Sequence, residues 1–373
     1  MLKKINIFFK KNFEFYKPKR SDCLVIENSN FDEISSILKK RSFELLKFNL
    51  SINLYIILKL IIKIKKISQL NYYIEFIKES DPKIILTGID NNLNFYKLKR
   101  FFPDKFFVSC QNGLRNDPMF DKKRNLKSDI IFCNGKSDIN FYRSRVKSRI
   151  IPIGTIKNNC VNSQVRSIKN CISYISVYRD IKKDEKNINF LGEFNYLTWE
   201  EYIESEKKLI RSLFNFCKKN KIKFYIVGCN YDYIKEKKWY EELNESNKIN
   251  FIPRSGSLSS YEFLKKSKYI VSMDSTLGYE FLSRGSRIIF FSRVVRESKK
   301  LSKILNFGSP FNKKSKDFFF TNVINEKEIS RLMNTLKRYP KKKWLKKIQK
   351  IKEQLMIYDF NNKIFKKEIL KIK

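Results

Sequence analysis

The chain has 373 residues, 42% of them hydrophobic and 15% aromatic, enough to bury one large core or two ordinary ones and too much for wholesale disorder. A formal charge of +41 goes with a complete absence of histidine, which excludes Ser-His-Asp and Cys-His triads, His-ligated metals and any histidine general base. The 7 cysteines show no paired spacing, so they support neither a zinc site nor a disulfide framework and read as small buried hydrophobes.

Taken in chain order, the N-terminal stretch lacks an apolar run long enough for a signal peptide. Cys23–Glu27 predicts a strand and Phe31–Arg41 a helix. Asn53–Ile67 is apolar but interrupted by Lys59, Lys63, Lys65 and Lys66, too short and too charged to span a bilayer. It predicts a core helix with a basic flank, with a membrane-surface helix as the alternative. Further strands are expected at Lys83–Thr87, Phe106–Cys110, Asp129–Cys133 and Arg149–Ile153. The polar stretch Thr155–Lys169 reads as a linker.

A second series follows the same grammar. Strands are expected at Cys171–Val177, Phe224–Val227, Ile249–Ile252, Tyr269–Met273 and Arg287–Phe291, with helices at Glu200–Asn220, Tyr261–Lys266 and Leu277–Arg284. The Lys-rich tail from Glu326 is expected to be helical. The alternation predicts a doubly wound α/β fold in two Rossmann-like halves facing each other across a cleft, with ligands at the carboxyl ends of the strands. The expected boundaries are 1–160, 161–335 and a basic helical tail at 336–373.

The large positive charge has two readings. A polyanion partner is one; the other is codon bias, because Lys, Asn and Ile dominate together and the basic residues are dispersed rather than gathered in a stripe or tail. The second is favoured, and no nucleic-acid module is recognisable.

Tyr269–Phe291 carries the strongest chemical signal. A strand ends at Ser272-Met273-Asp274, a turn Ser275-Thr276-Leu277-Gly278 follows, and a helix begins. Free N–H groups and the helix dipole at such a turn attract phosphate, hydroxyls add donors, and Gly278 allows close approach of the backbone. On the purely structural reading, Asp274 or Ser275 caps the helix, Glu280 completes the cap and Gly278 serves packing.

In the first half, Asp90 lies in the strand-end segment Gly88–Asn92 and could take a proton from an acceptor hydroxyl; an Asx-type turn is the alternative. Asn91, Asn92, Gln111, Asn112 and Gly113 suit hydrogen bonding to sugar hydroxyls, with Asn158 and Asn159 as further cleft residues and local turns as the alternative.

Several stretches together resemble a known family. They are TGIDNNLNFYKLKRFFP (87–103), SCQNGLR (109–115), PIGTIKNN (152–159), FIPRSGSLSSYEFL (251–264) and SMDSTLGYEFLSRG (272–285). The chain resembles bacterial surface-carbohydrate biosynthesis proteins described as sugar transferases of the GT-B architecture, over roughly residues 83–320. The resemblance implies that the turn formed by Asp274, Ser275, Thr276 and Gly278 holds a donor diphosphate and that Glu280 contacts ribose or sugar. It also implies catalysis without a bound metal or other cofactor, positive charge at the leaving diphosphate being supplied by Arg254 or, second, Arg179.

The expected function is therefore transfer of a sugar from a nucleotide-sugar to a surface-polysaccharide or lipid-linked acceptor. The location would be cytoplasmic, compatible with peripheral contact at an anionic membrane face and with no specific nucleic-acid partner. The alternatives are a nucleotide-sugar epimerase or polyol-phosphate transferase of the same fold, whose relatives rely on cleft histidines, or a non-enzymatic polyanion- or membrane-binding protein.

Overall fold

The computed structural model describes residues 12–113, 125–163, 168–180, 188–189, 196–197, 199–244, 249–273, 275–291, 317–321 and 323–372. The described residues up to Cys160, joined by those from Asp359 onward, form one compact unit; Val161–Tyr358 form a second.

The first unit contains β1 (Asn12–Glu14), β2 (Cys23–Ile26), β3 (Phe43–Leu46), β4 (Ser51–Asn53), β5 (Ile84–Thr87), β6 (Phe106–Cys110), β7 (Leu126–Cys133) and β8 (Val146–Pro152). Six of them build a parallel sheet in the order β3-β2-β5-β6-β7-β8, while β1 and β4 pair separately. Parallel neighbours need crossover connections, and the helices that supply them cover both faces of such a sheet. The runs CLVI and IILT are accordingly buried along their whole length. Their side chains alternate: Cys23, Val25, Ile84 and Leu86 enter one layer, Leu24, Ile26 and Ile85 the other. Each large aliphatic side chain so buried contributes roughly 1.5–3 kcal/mol of transfer free energy.

The second unit contains β9 (Lys169–Ile175), β10 (Ile188–Asn189), β11 (Tyr196–Leu197), β12 (Lys223–Val227), β13 (Asn250–Ile252), β14 (Ser267–Met273), β15 (Ile288–Phe291) and β16 (Phe320–Thr321). Its six-stranded parallel sheet runs β13-β12-β9-β14-β15-β16. The chain grows outward from β9 in one direction, then returns to β14 and grows the other way, which is the dinucleotide-binding strand order.

The tail is helical but divided. The helix Lys341–Leu355 buries Trp344 and Ile348 in the second unit, while Lys363–Leu370 buries Phe365 and Ile369 against the sheet of the first. Arg41 Nη2 secures that last helix by donating to the carbonyls of Ile369 (3.3 Å) and Ile372 (2.6 Å). The apolar segment expected as one core helix to Ile67 is helical only over Leu54–Ile62, where Ile56 and Leu60 join the core. Lys63 caps it, and residues 61–67 all face water.

Candidate functional site

In an open parallel sheet, ligands bind beyond the carboxyl ends of the strands where the winding direction reverses. In the second unit this switch point lies between β9 and β14. The segment that leaves β14 there is the one singled out by sequence: Ser275 is the N-cap of the helix Thr276–Ser283. Ser275 makes no side-chain capping bond, so its hydroxyl is not consumed in the way the purely structural reading requires. Asp274 lies outside the described residues. Ser275, Thr276 and Leu277 are half-buried and Gly278 is fully enclosed.

Gly278 is required by contact. A Cβ built there would lie 2.4 Å from Ser272 Oγ, 2.6 Å from Ser272 Cβ and 2.9 Å from a ring carbon of Phe290. Helix and strand approach so closely that only glycine fits, which draws the helix N-terminus down onto the strand end. Ser272 Oγ, buried beneath it, has no hydrogen-bond partner among the described residues.

Glu280 follows on the same helix, almost wholly buried, and accepts a hydrogen bond from the Tyr261 hydroxyl at 2.5 Å. Arg284 closes the helix with its guanidinium over the rings of Tyr358 (5.1 Å), Phe281 (5.2 Å) and Tyr261 (5.6 Å). Burial pulls the Arg284 pKa below the usual arginine range, opposed by the Tyr358, Tyr261 and Glu280 side chains.

Arg254 follows β13, three strand positions from β14 and hence about 14 Å away at ordinary strand spacing. Its guanidinium stacks 4.5 Å above the Tyr231 ring and donates to the Cys229 carbonyl at 2.8 Å. Arg179, four residues beyond β9, is exposed, and its neighbours lean toward the β12 end, where Asn230 Nδ2 donates to the Tyr178 carbonyl at 3.3 Å and Lys235 pairs with Asp180 at 3.4 Å. Sequence reasoning missed the carboxylate that anchors this edge. Glu236, fully buried, accepts from the backbone N–H groups of Cys229 (2.9 Å) and Asn230 (3.0 Å) and from the Ser176 hydroxyl.

In the first unit the switch point lies between β2 and β5. Asp90 is there, but fully buried: Oδ2 accepts from the Tyr142 hydroxyl at 2.5 Å and Oδ1 from the Asn112 N–H at 3.2 Å. A base must reach the proton it removes, and this carboxylate faces its own unit's Tyr142 and Asn112. Asn92 caps the helix Leu93–Leu98 by accepting from the N–H groups of Asn94 and Phe95. Asn91 is half-buried in the same loop.

Gln111 spends its amide on its own loop, donating to the Gly113 carbonyl (2.7 Å) and accepting from the Asn134 N–H (2.9 Å), while Asn112 is exposed. Asn158 and Asn159 are fully buried. Asn159 bonds the Ile153 carbonyl, the Asn362 side chain and the Asp359 N–H, so it ties down the returning tail and does not line an open surface.

Glu27, which sequence placed inside the first strand, lies just beyond β2 at this switch point with φ 68°. A non-glycine residue in that left-handed region is uncommon and, when held there, often marks a functional site. Its carboxylate accepts from the Tyr73 hydroxyl (2.9 Å) and the Asn49 amide (2.7 Å). No sequence pattern signals a left-handed glutamate; its backbone geometry does. Among the described residues, no three Cys, Asp or Glu side chains converge as a metal-holding group.

Comparison with known proteins yields no match among curated proteins. Among solved structures, UDP-GlcNAc 2-epimerase from Neisseria meningitidis bound to UDP-GlcNAc aligns with a TM-score of 0.50 at 14% identity, covering 94% of this chain and 99% of that one. The S. aureus MnaA–UDP co-structure gives 0.52 at 11% identity over 94% and 95% of the two chains. The wall teichoic acid polymerase TagF gives 0.53 at 12% identity over 94% and 88%. At such identities the likeness is one of fold, the GT-B type of α/β protein. A family model described as "putative O-antigen biosynthesis protein" matches residues 108–373. That span includes the whole sheet of the second unit and the turn at its switch point, and the chain belongs to this O-antigen biosynthesis family.

Proposed function

We propose that the chain transfers a sugar from a nucleotide-sugar donor to a polysaccharide or lipid-linked acceptor during surface-carbohydrate synthesis, without a bound metal and on the cytoplasmic side of the membrane. The observation that carries this reading is the turn Ser275–Gly278, whose Ser275 hydroxyl makes no capping bond, at the β9/β14 switch point of a dinucleotide-type sheet. The donor diphosphate would rest on Ser275, Thr276 and Gly278 beside Asp274, with Glu280 toward the ribose or sugar. In the reaction the bond between sugar and diphosphate breaks, the acceptor oxygen bonds to the sugar, and the proton of the acceptor hydroxyl passes to the released nucleoside diphosphate or to solvent.

Positive charge at the leaving diphosphate would come from Arg254, held on the Tyr231 ring and the Cys229 carbonyl, or second from Arg179. In the first unit, Asp90 acts by positioning Asn112 and Tyr142.

The test is a thermal-shift screen of the full chain with UDP-, GDP-, CMP- and dTDP-sugars, followed by product analysis with the stabilising donor. A donor at one hundred times its Kd should add about 2.7 kcal/mol of stability. Release of nucleotide that depends on an added glycan or lipid-linked acceptor supports transfer; an isomerised nucleotide-sugar without release would mean an epimerase. No stabilisation by any donor would overturn the site.

A further inference from the structure

The helix Leu54–Ile62 carries two apolar stripes, and the fold uses only one. Ile56 and Leu60 point into the core of the first unit. Leu54, Leu58, Ile61 and Ile62 fall within about 100° of one another around the helix axis, and all four face water. The segment beyond continues the pattern, with Ile64 95% and Ile67 46% exposed. Ile64 also has φ 52°, a left-handed conformation that β-branched residues rarely adopt. Neither burial nor backbone preference accounts for isoleucine at that position, where glycine or asparagine would serve the fold better.

The charges around this stripe have one sign. From Leu54 to Ile67 every charged residue is a lysine: Lys59, Lys63, Lys65 and Lys66. Glu75, which pairs with Lys63 and Lys65, is fully buried, and Glu79, which pairs with Lys59, is 12% exposed, so the negative charge nearby is largely covered. A second copy of the chain would bring +41 against +41, and a nucleic acid would leave the isoleucines unused. A bilayer with anionic headgroups satisfies both halves of the surface. Isoleucines enter the boundary of headgroups and acyl chains, and lysine stems run along it to place ammonium groups at phosphates. Among the described residues no helix is long and apolar enough to cross a membrane, so the segment would lie on the surface.

We propose that Leu54–Ile67 is an interfacial docking surface for an anionic lipid bilayer, seating the first unit on it. This holds whatever reaction the second unit's site performs. The experiment is co-sedimentation of the full chain with vesicles of phosphatidylcholine alone or mixed with phosphatidylglycerol. The mixed vesicles should bind the protein and the zwitterionic ones should bind it far less. Ile62→Ser/Ile64→Ser should weaken partitioning by about tenfold or more at an unchanged unfolding temperature, both side chains being at least 78% exposed. Lys65→Gln/Lys66→Gln should flatten the salt dependence. The proposal fails if the wild-type chain ignores anionic vesicles, or if the isoleucine variant binds equally well. It fails also if sedimentation velocity shows self-association that the isoleucine variant abolishes, because a second copy is then the occupant.

Discussion

Replacing Gly278 by alanine tests the strand–helix junction and the site together. The new methyl would meet three atoms closer than 3.0 Å, two of them on Ser272 and one on the Phe290 ring. Ser272 Cβ is fixed to its strand and cannot swing away, so helix and strand must separate. Overpacking of this kind costs about 1–3 kcal/mol, and the upper end applies with three close contacts. Exchanging glycine for alanine in a helix returns up to ~1 kcal/mol. The net loss is about 2 kcal/mol, which for a unit of this size lowers Tm by roughly 4–8 °C. Ser272→Ala removes a buried hydroxyl that lacks a partner, so alone it should be neutral or stabilising. Combined with Gly278→Ala it should restore only part of the loss, since the contacts to Cβ and Phe290 persist. Thermal melts of the three variants decide the matter, with nucleotide-sugar binding measured on those that fold. If Gly278→Ala melts with the wild type and binds the donor equally well, the close-approach argument is wrong.

Glu280→Gln keeps an acceptor for the Tyr261 hydroxyl but removes the charge, and should weaken donor binding about tenfold, on the order of 1.4 kcal/mol; calorimetric titration showing unchanged affinity removes Glu280 from the donor site. Asp90→Ala should cost about 1–3 kcal/mol, because it takes the acceptor from the buried Tyr142 hydroxyl and from the Asn112 N–H. Asp90→Asn that folds as stably as wild type yet has lost turnover would instead return Asp90 to the role of base. Burial pushes the Cys23, Cys217 and Cys229 thiols from 9.0 up to about 12. Folding therefore holds protons that the unfolded chain releases: this stability is complete below pH 9 and is lost as pH rises toward 12. Tm should fall steadily from pH 8.5 to 10.5, and a flat profile across that range would contradict the burial of these thiols.

The strands were legible because parallel sheets covered on both faces need unbroken apolar runs, and CLVI, IILT, FFVSC and RIIFF stand out from a lysine-rich background. The turn Ser275–Gly278 was legible for a related reason: it combines small residues with a strand before and a helix after. Its place at the switch point was not, since strand order depends on which runs pair, and pairing is long-range. Gln111, Asn92 and Asn159 looked like surface amides and prove to be spent on loops, a cap and the returning tail. Glu236 and Glu27 gave no signal, because burial of a carboxylate is decided by donors far away in sequence. The exposed stripe of Leu54–Ile62 was read as core because apolar character alone does not say which side of a helix is covered.

The positive charge also reads differently once burial is known. Among the described residues the most deeply buried ionic side chains are all carboxylates: Glu27, Glu33, Glu75, Asp90, Asp138, Glu206, Glu236, Glu280 and Glu328. Codon bias explains lysines wherever a side chain reaches water, but it does not explain where the scarce acids go. Burying a carboxylate is costly unless donors meet it. Several of these acids pair with tyrosine hydroxyls, an arrangement available to a chain with 19 tyrosines and no histidine: Tyr73 with Glu27, Tyr142 with Asp90, Tyr174 and Tyr240 with Glu206, and Tyr261 with Glu280. Glu27, Asp90 and Glu280 lie in segments that leave strands at the switch points, where ligands bind in sheets of this type. With those acids withdrawn from the surface, the exposed ionic side chains among the described residues are more strongly basic than the composition as a whole.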